Sequence, residues 1–261
     1  MKLSQCCSAL VMAGGLAAAG LAATPSWALT QEQIETQLRA VPVFTITDGD
    51  GAPLVSETPG EEGPTSIARV FIDQADAERF LTSIQEGNPE LGASVRITPV
   101  SLSRIYTAAL NNQEDEIPLN FVFIPSQEEA ASAIEILKED LEEQGEDASD
   151  VTEFFGVPLF TARSAGSEDS QGYLTIQADG QQIVPLFFSY DELQTLITNI
   201  GEGQPEFAAG LDPFVIRLEE LIETFESTND ENLLQLQLIP SADAIQAAQE
   251  GRRQSAPAEA E

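Results

Sequence analysis

The chain has 261 residues, of which 11 are basic, 44 are acidic and none is His, so its formal net charge at neutral pH is −33. Binding to nucleic acid and electrostatic attachment to anionic lipid both need clustered Lys and Arg, so this balance disfavours both kinds of partner. The lack of His removes the commonest proton shuttle near pH 7 and a usual zinc ligand. The acidity itself is typical of a strongly solvated surface, with a basic partner as the alternative.

The first 28 residues have the three parts of a secretory signal peptide. Met1-Lys2 gives a positive start, an apolar run extends from Leu10 to Ala23, and Ser26-Trp27-Ala28 is a small-x-small cleavage pattern. A retained anchor is the alternative, but the apolar run is short for a membrane span of roughly 20 residues. Cys6 and Cys7 precede the apolar run, which is the wrong side for a lipidated cleavage site. We therefore expect an exported protein that does not span the membrane after cleavage and has no cysteine in its mature part.

The rest of the chain is an internal repeat with an offset of 116 residues. The segment Val41–Thr45 returns as Val157–Thr161, and Val70–Leu110 aligns without a gap on Leu186–Glu226. After the loss of one residue, Phe123–Ser126 aligns on Leu238–Ser241. Few residues are identical, so the evidence for the repeat is mainly the periodicity of its apolar residues.

Three helices are predicted in each copy from apolar residues that recur at helical spacing. The first has its apolar face at Ala77, Phe80, Leu81 and Ile84 and, in the second copy, at Leu193, Leu196, Ile197 and Ile200; the second has Leu102, Ile105, Tyr106 and Ala109 and then Leu218, Leu221, Ile222 and Phe225. Gly87 and Gly203, each with a Pro two residues later, predict where the first helix ends. The third helix begins at Ser126, where Glu129 predicts a capping box.

Strands are predicted between these helices, and turn residues separate some of them. Asp48-Gly49-Asp50-Gly51 begins like a calcium loop, but Ala52 and Pro53 occupy positions that a ligand and the turn glycine require, so we predict a turn. Asp179-Gly180 predicts a hairpin in the second copy. Residues 56–65 and 145–150 are predicted to be loops. Pro158 and Pro185 lie within strands, which favours positions at a sheet edge.

These elements predict an α/β (α+β) fold made of two tandem, pseudo-two-fold related β-β-β-α-β-α-β-α units with mixed sheets and flanking helices. The expected organisation is a signal peptide at 1–28, a first repeat at 29–144, a second repeat at 151–250 packed on the first as one two-lobed body, and a disordered tail at 251–261.

No specific catalytic, cofactor or metal pattern is present in the sequence, so we expect no enzyme activity, no cofactor and no metal site. The remaining signal is a set of phenylalanines in dense apolar segments, and they are the candidate residues for binding an apolar client: Phe44, Phe71, Phe155, Phe160, Phe187 and Phe188. Successive strand residues point to opposite faces, so Phe187 and Phe188 cannot both face one core. Either the sheet is covered on both faces, or these residues form a groove for an extended segment.

Seven short sequence segments, taken in order, resemble a known family. They are Val41–Val55, Asn88–Gly92, Val100–Tyr106, Phe121–Ser126, Phe155–Ala162, Gly172–Ile176 and Ile183–Gln194. They resemble the cyanobacterial relatives of the twenty-two-kilodalton Tic component, a subunit of the chloroplast protein translocon. The resemblance covers nearly all of residues 30–248 and implies a two-lobed α/β fold with apolar pockets. It also implies a chaperone-like role in protein transport, and it brings no catalytic residues.

From the residues and the resemblance together, we expect a periplasmic chaperone that assists protein translocation or outer-membrane protein assembly. Its partners would be unfolded or outer-membrane client proteins and the outer-membrane barrel assembly machinery. The thylakoid lumen is the alternative compartment. A non-catalytic scaffold that binds one folded partner is the alternative function, and an enzyme that uses carboxylates is a third class.

Overall fold

A computed structural model describes residues 29–60, 63–112, 119–164, 172–178, 180–228 and 230–255. The predicted signal peptide lies outside these residues. The first half contains α1 (Gln31–Leu38), β1 (Pro42–Thr47), β2 (Val55–Gly60), β3 (Gly63–Phe71), α2 (Gln74–Gly87), α3 (Pro89–Ser94), β4 (Arg96–Ser101), α4 (Leu102–Asn111), β5 (Leu119–Ile124) and α5 (Gln127–Glu143). The second half contains β6 (Pro158–Ser164), β7 (Ile176–Ala178), β8 (Gln181–Phe187), α6 (Tyr190–Gly203), α7 (Pro205–Ala208), β9 (Leu211–Arg217), α8 (Leu218–Ser227), a 3-10 helix (Glu231–Gln235), β10 (Leu236–Ile239) and α9 (Ala242–Ser255).

The two halves form two mixed sheets with the same strand order. In the first sheet, β3 pairs in parallel with β5 on one side. On its other side it pairs antiparallel with β2 and then, nearer its end, with β1, which in turn pairs with β4. In the second sheet, β8, β10, β7, β6 and β9 repeat these pairings. This arrangement confirms the predicted α/β fold of two similar units.

Equivalent hydrogen bonds recur in both units. The amide of Leu102 donates to the carbonyl of Val41 at 2.8 Å, and the amide of Leu218 donates to the carbonyl of Val157 at 2.9 Å. These bonds fix the start of α4 and α8 against the first strand of each sheet. The repeat therefore extends from the sequence to the geometry of the backbone.

The core has three layers of apolar side chains because each sheet is covered on both faces. Alternation along β1 sends Val43 to a central cluster between the sheets and Phe44 to an outer cluster. In the same way, Leu186 and Phe188 face the central cluster, whereas Phe187 faces the outer cluster of the second sheet. Helices α1, α4 and α8 contribute to the central cluster, so it joins the two units.

The last helix of each unit, α5 or α9, packs on the sheet of the other unit. Ala133 and Ile136 of α5 lie in the outer cluster of the second sheet, and Ala244 of α9 lies in that of the first sheet. A salt bridge supports this exchange, since Arg163 Nη2 of β6 donates to Asp140 Oδ1 of α5 at 2.6 Å. The units are therefore interlocked.

Several local predictions were wrong. A loop was predicted at residues 56–65, but residues 56–60 belong to β2 and residues 63–65 to β3, and these two strands pair antiparallel as far as Gly60 and Gly63. Ser126 makes no side-chain cap bond at the start of α5, so the predicted capping box is not formed. Helix α9 continues to Ser255, within the predicted tail.

Pro158 and Pro185 lie in inner strands, so their predicted position at a sheet edge was also wrong. Pro158 is the first residue of β6, a position at which the missing amide is tolerated. Pro185 falls between the residues of β8 that pair with β7 and Phe187, which pairs with β6. Pro185 has no backbone N–H to donate, and on this side of β8 it lies between the two segments that form hydrogen bonds, so no bond is lost.

Two turns agree with their predictions. Asp48 Oδ1 accepts hydrogen bonds from the amides of Asp50 and Ala52, each at 2.9 Å, and closes the turn after β1. In the second unit, β7 and β8 pair antiparallel and form the predicted hairpin.

Candidate functional site

Two apolar cavities open at equivalent places in the two units. Cavity A, of about 310 Å³, lies between α4, the outer strand β5 and the neighbouring helix α8. It is lined by Leu102, Ile105, Tyr106, Ala109, Leu110, Asn112, Leu119, Asn120, Phe121, Phe123, Ile222 and Glu226. Tyr106, Phe121, Phe123 and Ile222 also pack against the central cluster. Cavity A is therefore an opening into the layer between the sheets.

Cavity B, of about 760 Å³, lies between α8, the outer strand β10 and the 3-10 helix. It is lined by Tyr173, Val184, Leu186, Ile216, Glu220, Leu221, Glu223, Thr224, Ser227, Asn232, Leu233, Gln235 and Leu236. Leu221 repeats Ile105 of cavity A, and Leu236 repeats Phe121 after the one-residue shift. The two cavities are thus a product of the repeat, and both volumes are in the range of ligand pockets.

The first turn of α4 places the apolar wall of cavity A. Ser101 caps this helix by accepting from the amide of Arg104 at 3.4 Å. Leu102 and Ile105 then point into the central cluster, and Tyr106 and Ala109 follow on the side of the cavity. Thr107 Oγ1 donates to Glu35 Oε1 at 3.0 Å and ties α4 to α1.

A tyrosine and a carboxylate supply polar groups to cavity A. Burial, and after it the hydrogen-bonding carboxylate of Glu226, raise the pKa of Tyr106 to about 12. The phenol therefore stays protonated at physiological pH and remains a hydrogen-bond donor. Because Tyr106 comes from α4 and Glu226 from α8, the two units share this polar group.

Acidic side chains also border cavity B. Glu220 and Glu223 line it, and Arg217 Nη2 donates to Glu220 Oε1. This hydrogen bond lowers the pKa of Glu220, so the carboxylate is ionised at neutral pH. Both cavities thus combine apolar walls with carboxylates, which suits an apolar ligand that has a cationic group beside it.

Five of the six candidate phenylalanines are buried in the cores. Phe44 and Phe71 lie in the outer cluster of the first sheet, and Phe160 and Phe187 in that of the second. Phe188 lies in the central cluster. Only Phe155 among the six is on the surface, with 70% of its area exposed. The five buried residues line neither cavity A nor cavity B, and Phe188 borders instead a polar cavity where α2, α5, α6 and α9 begin.

The cavity residues Tyr106, Phe121, Leu221 and Leu236 were not among the candidates from the sequence. Their helices and strands carry apolar faces, and periodicity cannot distinguish a face that is filled by core packing from one that borders a cavity. One signal was present in the sequence. The apolar face of α4 recurs in α8 at Ile222 and Phe225, so the two helices together carry more apolar surface than packing on one sheet requires.

A polar cavity of about 340 Å³ lies where α2, α5, α6 and α9 begin. The carboxylate of Glu129 accepts from the amide of Tyr190 at 2.8 Å, and that of Glu192 accepts from the amide of Ala242 at 2.8 Å. Each acid therefore satisfies the N-terminus of a neighbouring helix. Within the described residues, no group of three or more His, Cys, Asp or Glu could hold a metal ion.

Comparison with known proteins identifies the family. The model of the Tic22-like family matches residues 9–250. The chain belongs to the Tic22-like family. The resemblance noted from the sequence is therefore confirmed, and the chain is related to proteins of protein transport.

Individual Tic22 proteins agree with this assignment. The solved structure of Tic22 from Anabaena, described as a protein-transport protein, is 26% identical with a TM-score of 0.71, covering 85% of this chain and 97% of that one. Protein TIC 22, chloroplastic, from Pisum sativum is 21% identical over 218 residues, which are 82% of this chain and 75% of the relative. Tic22 from Plasmodium falciparum has the same fold, with 20% identity, a TM-score of 0.61, and coverage of 85% of this chain and 99% of that one.

No helix in the described part of this Tic22-like chain is long and apolar enough to cross a membrane.

Proposed function

We propose that this Tic22-like chain is a non-catalytic, chaperone-like protein of the periplasm that holds unfolded clients during protein translocation or outer-membrane protein assembly. The observation that carries the proposal is the pair of apolar cavities with acidic borders. The description of the Anabaena relative as a protein-transport protein supports the process. The signal-peptide pattern at 1–28 supports export.

Client binding would depend on burial of apolar side chains in cavities A and B. Such burial contributes about 25 cal/mol per Å² of apolar area. Two separate cavities on one protein would bind two segments of the same client, and the second segment then binds at a high effective concentration. A net charge of −33 would keep the complex with a sticky client soluble.

A matched set of variants tests this proposal. Leu110→Glu and Leu233→Glu each place a charge in one cavity, whereas Ile245→Glu changes an apolar residue on α9 that is already 39% exposed. Light scattering would follow the aggregation of an unfolded porin in the presence of each protein, and circular dichroism would verify the fold. We expect the wild type and Ile245→Glu to delay aggregation, and the Leu110→Glu/Leu233→Glu double variant to lose most of this effect. Equal protection by all of them would contradict the proposal.

A scaffold that binds one folded partner is the alternative. It would bind that partner at fixed stoichiometry and would not protect an unrelated apolar client. Fractionation of cells, with the mass of the protein in each fraction, tests both the periplasmic location and removal of residues 1–28.

A further inference from the structure

In each sheet, the two edges differ in how they are protected. An outer strand presents unpaired backbone groups, and proteins usually guard it with Pro or charged residues. At one edge, β4 contains Arg96 and Pro99, and β9 contains Asp212, Pro213 and Arg217. At the other edge, β5 (Leu119–Ile124) and β10 (Leu236–Ile239) contain neither Pro nor a charged residue. Within the described residues, β5 and β10 each pair with one strand only, so one edge of each sheet is open to pairing with another strand.

The unguarded edge of β5 coincides with cavity A. Leu119, Phe121 and Phe123 line the cavity, while Val122 points to the other face and is 41% exposed. A strand added beside β5 would continue the pleat, so every second side chain would enter cavity A.

The backbone of β5 is available in the right places. The amide of Ile72 donates to the carbonyl of Ile124 at 3.1 Å, so the backbone groups of Ile124 face β3. Because backbone groups alternate between the edges of a strand, those of Phe121 and Phe123 face outward. Within the described residues, β5 pairs only with β3.

We infer that β5 binds its client by strand addition, and that the client segment is an extended, neutral or cationic stretch of alternating apolar and polar residues. This inference rests on the proposed function and specifies its mode of binding. Period-two alternation over about ten residues is the pattern of a transmembrane β-strand before it inserts. Glu226 at the border of cavity A favours a Lys or Arg in that segment. A second copy of the chain is disfavoured because two molecules of net charge −33 repel.

N-methylated peptides test strand addition without altering the protein. The probe is a labelled decapeptide of alternating Leu and Ser with Lys at both ends, whose leucines would enter cavity A. In one isomer the leucine amides are N-methylated, and in the other the serine amides are. In an added strand, only one of these sets faces β5. We expect one isomer to bind about tenfold or more weakly than the unmodified peptide while the other stays within about threefold. The isomer that fails reports the direction of the strand.

Amide hydrogen exchange measured by NMR supplies a second readout. The unmodified peptide should slow exchange at Phe121 and Phe123, whereas the amides of Asn120 and Val122 already face β3. Equal binding of both isomers with unchanged exchange would overturn strand addition but leave binding in the cavities intact. Protection of Phe121 and Phe123 by raising the protein concentration alone would assign the edge to a second copy and overturn the inference. If no peptide binds and the porin aggregates without delay, both the inference and the proposed function fail.

Discussion

Thr45 and Thr161 occupy equivalent, buried positions in β1 and β6, yet their hydroxyls differ in hydrogen bonding. Thr45 Oγ1 donates to the carbonyl of Arg69 at 3.2 Å. The hydroxyl of Thr161, which is 0% exposed, has no partner among the residues that the structure describes. Pro185 stands in the second unit where Arg69 stands in the first. The repeat has thus kept the residue but not its bond.

Replacement by Val should therefore have opposite effects at the two positions. A buried polar group without a partner costs stability, whereas a hydrogen bond of this kind contributes about 1 kcal/mol. We expect Thr161→Val to raise the free energy of unfolding by about 1 kcal/mol and Thr45→Val to lower it by about the same amount. Urea denaturation of both variants measures this, and a loss of stability in Thr161→Val would contradict the geometry.

Exchange of α5 and α9 predicts that neither half of the chain folds alone. A fragment of residues 29–150 would lack α9 on its sheet, and one of residues 151–255 would lack α5. Each should give a poorly cooperative thermal transition by circular dichroism, and mixing the two should restore a cooperative one. Cooperative unfolding of either fragment as a monomer would show that the exchanged helix is dispensable.

Gly156 should not tolerate a side chain. Its φ is +97°, and a Cβ there would lie 2.5 Å from Oε2 of Glu219, whose carboxylate accepts from the amide of Val157 at 3.1 Å. We expect Gly156→Ala to destabilise the protein by about 1–3 kcal/mol, from backbone strain and loss of this bond. Gly49→Ala, where nothing lies within 4 Å, is the matched control. Equal thermal stability of the two variants would refute this expectation.

Glu129 should make stability depend on pH. Burial raises its pKa above the ordinary value of 4.5, although hydrogen bonds from Tyr190 and Ser189 partly offset this. Below the ordinary pKa, the Glu129 carboxyl is protonated in both the unfolded and the folded protein. As the pH rises from the ordinary pKa through the raised pKa of the folded protein, the folded state loses stability because it holds a proton that the unfolded state has released. Glu129→Gln should remove this contribution, so the free energy of unfolding of the variant should rise relative to that of the wild type as the pH increases from 4.5 towards neutrality. A constant difference across that range would exclude the titration of Glu129.

The sequence predicted the elements because periodic apolar faces pack on a sheet, as Leu193 and its partly buried neighbours Leu196, Ile197 and Ile200 do on the outer face of the second sheet. It could not predict which surface covers a face, since Ala133 and Ile136 pack equally well on either sheet by their chemistry. The packing of α5 and α9 on each other's sheets is therefore visible only in the structure. Glu129 shows the same limit at short range, because its carboxylate satisfies the amide of Tyr190 on another helix instead of its own N-terminus.

The sequence predicted that the candidate site is apolar but not which residues form it. The dense phenylalanines were the strongest apolar signal, and for that reason five of them fill the cores. Phe121 and Leu236 line the cavities because their strands lie at open edges, which depends on strand order and not on local composition. The number of apolar residues at a segment thus indicated burial better than binding.

Photo-crosslinking would show directly whether clients bind in cavities A and B. A photoreactive phenylalanine analogue would replace Leu110, Leu233 or, as the control, Ile245, and each protein would be irradiated with an unfolded porin and analysed by mass spectrometry. We expect crosslinks from positions 110 and 233, with alternating apolar segments of the porin, and few from position 245. Crosslinks of equal yield from all three positions, or none from the two cavities, would show that the client does not bind in cavities A and B.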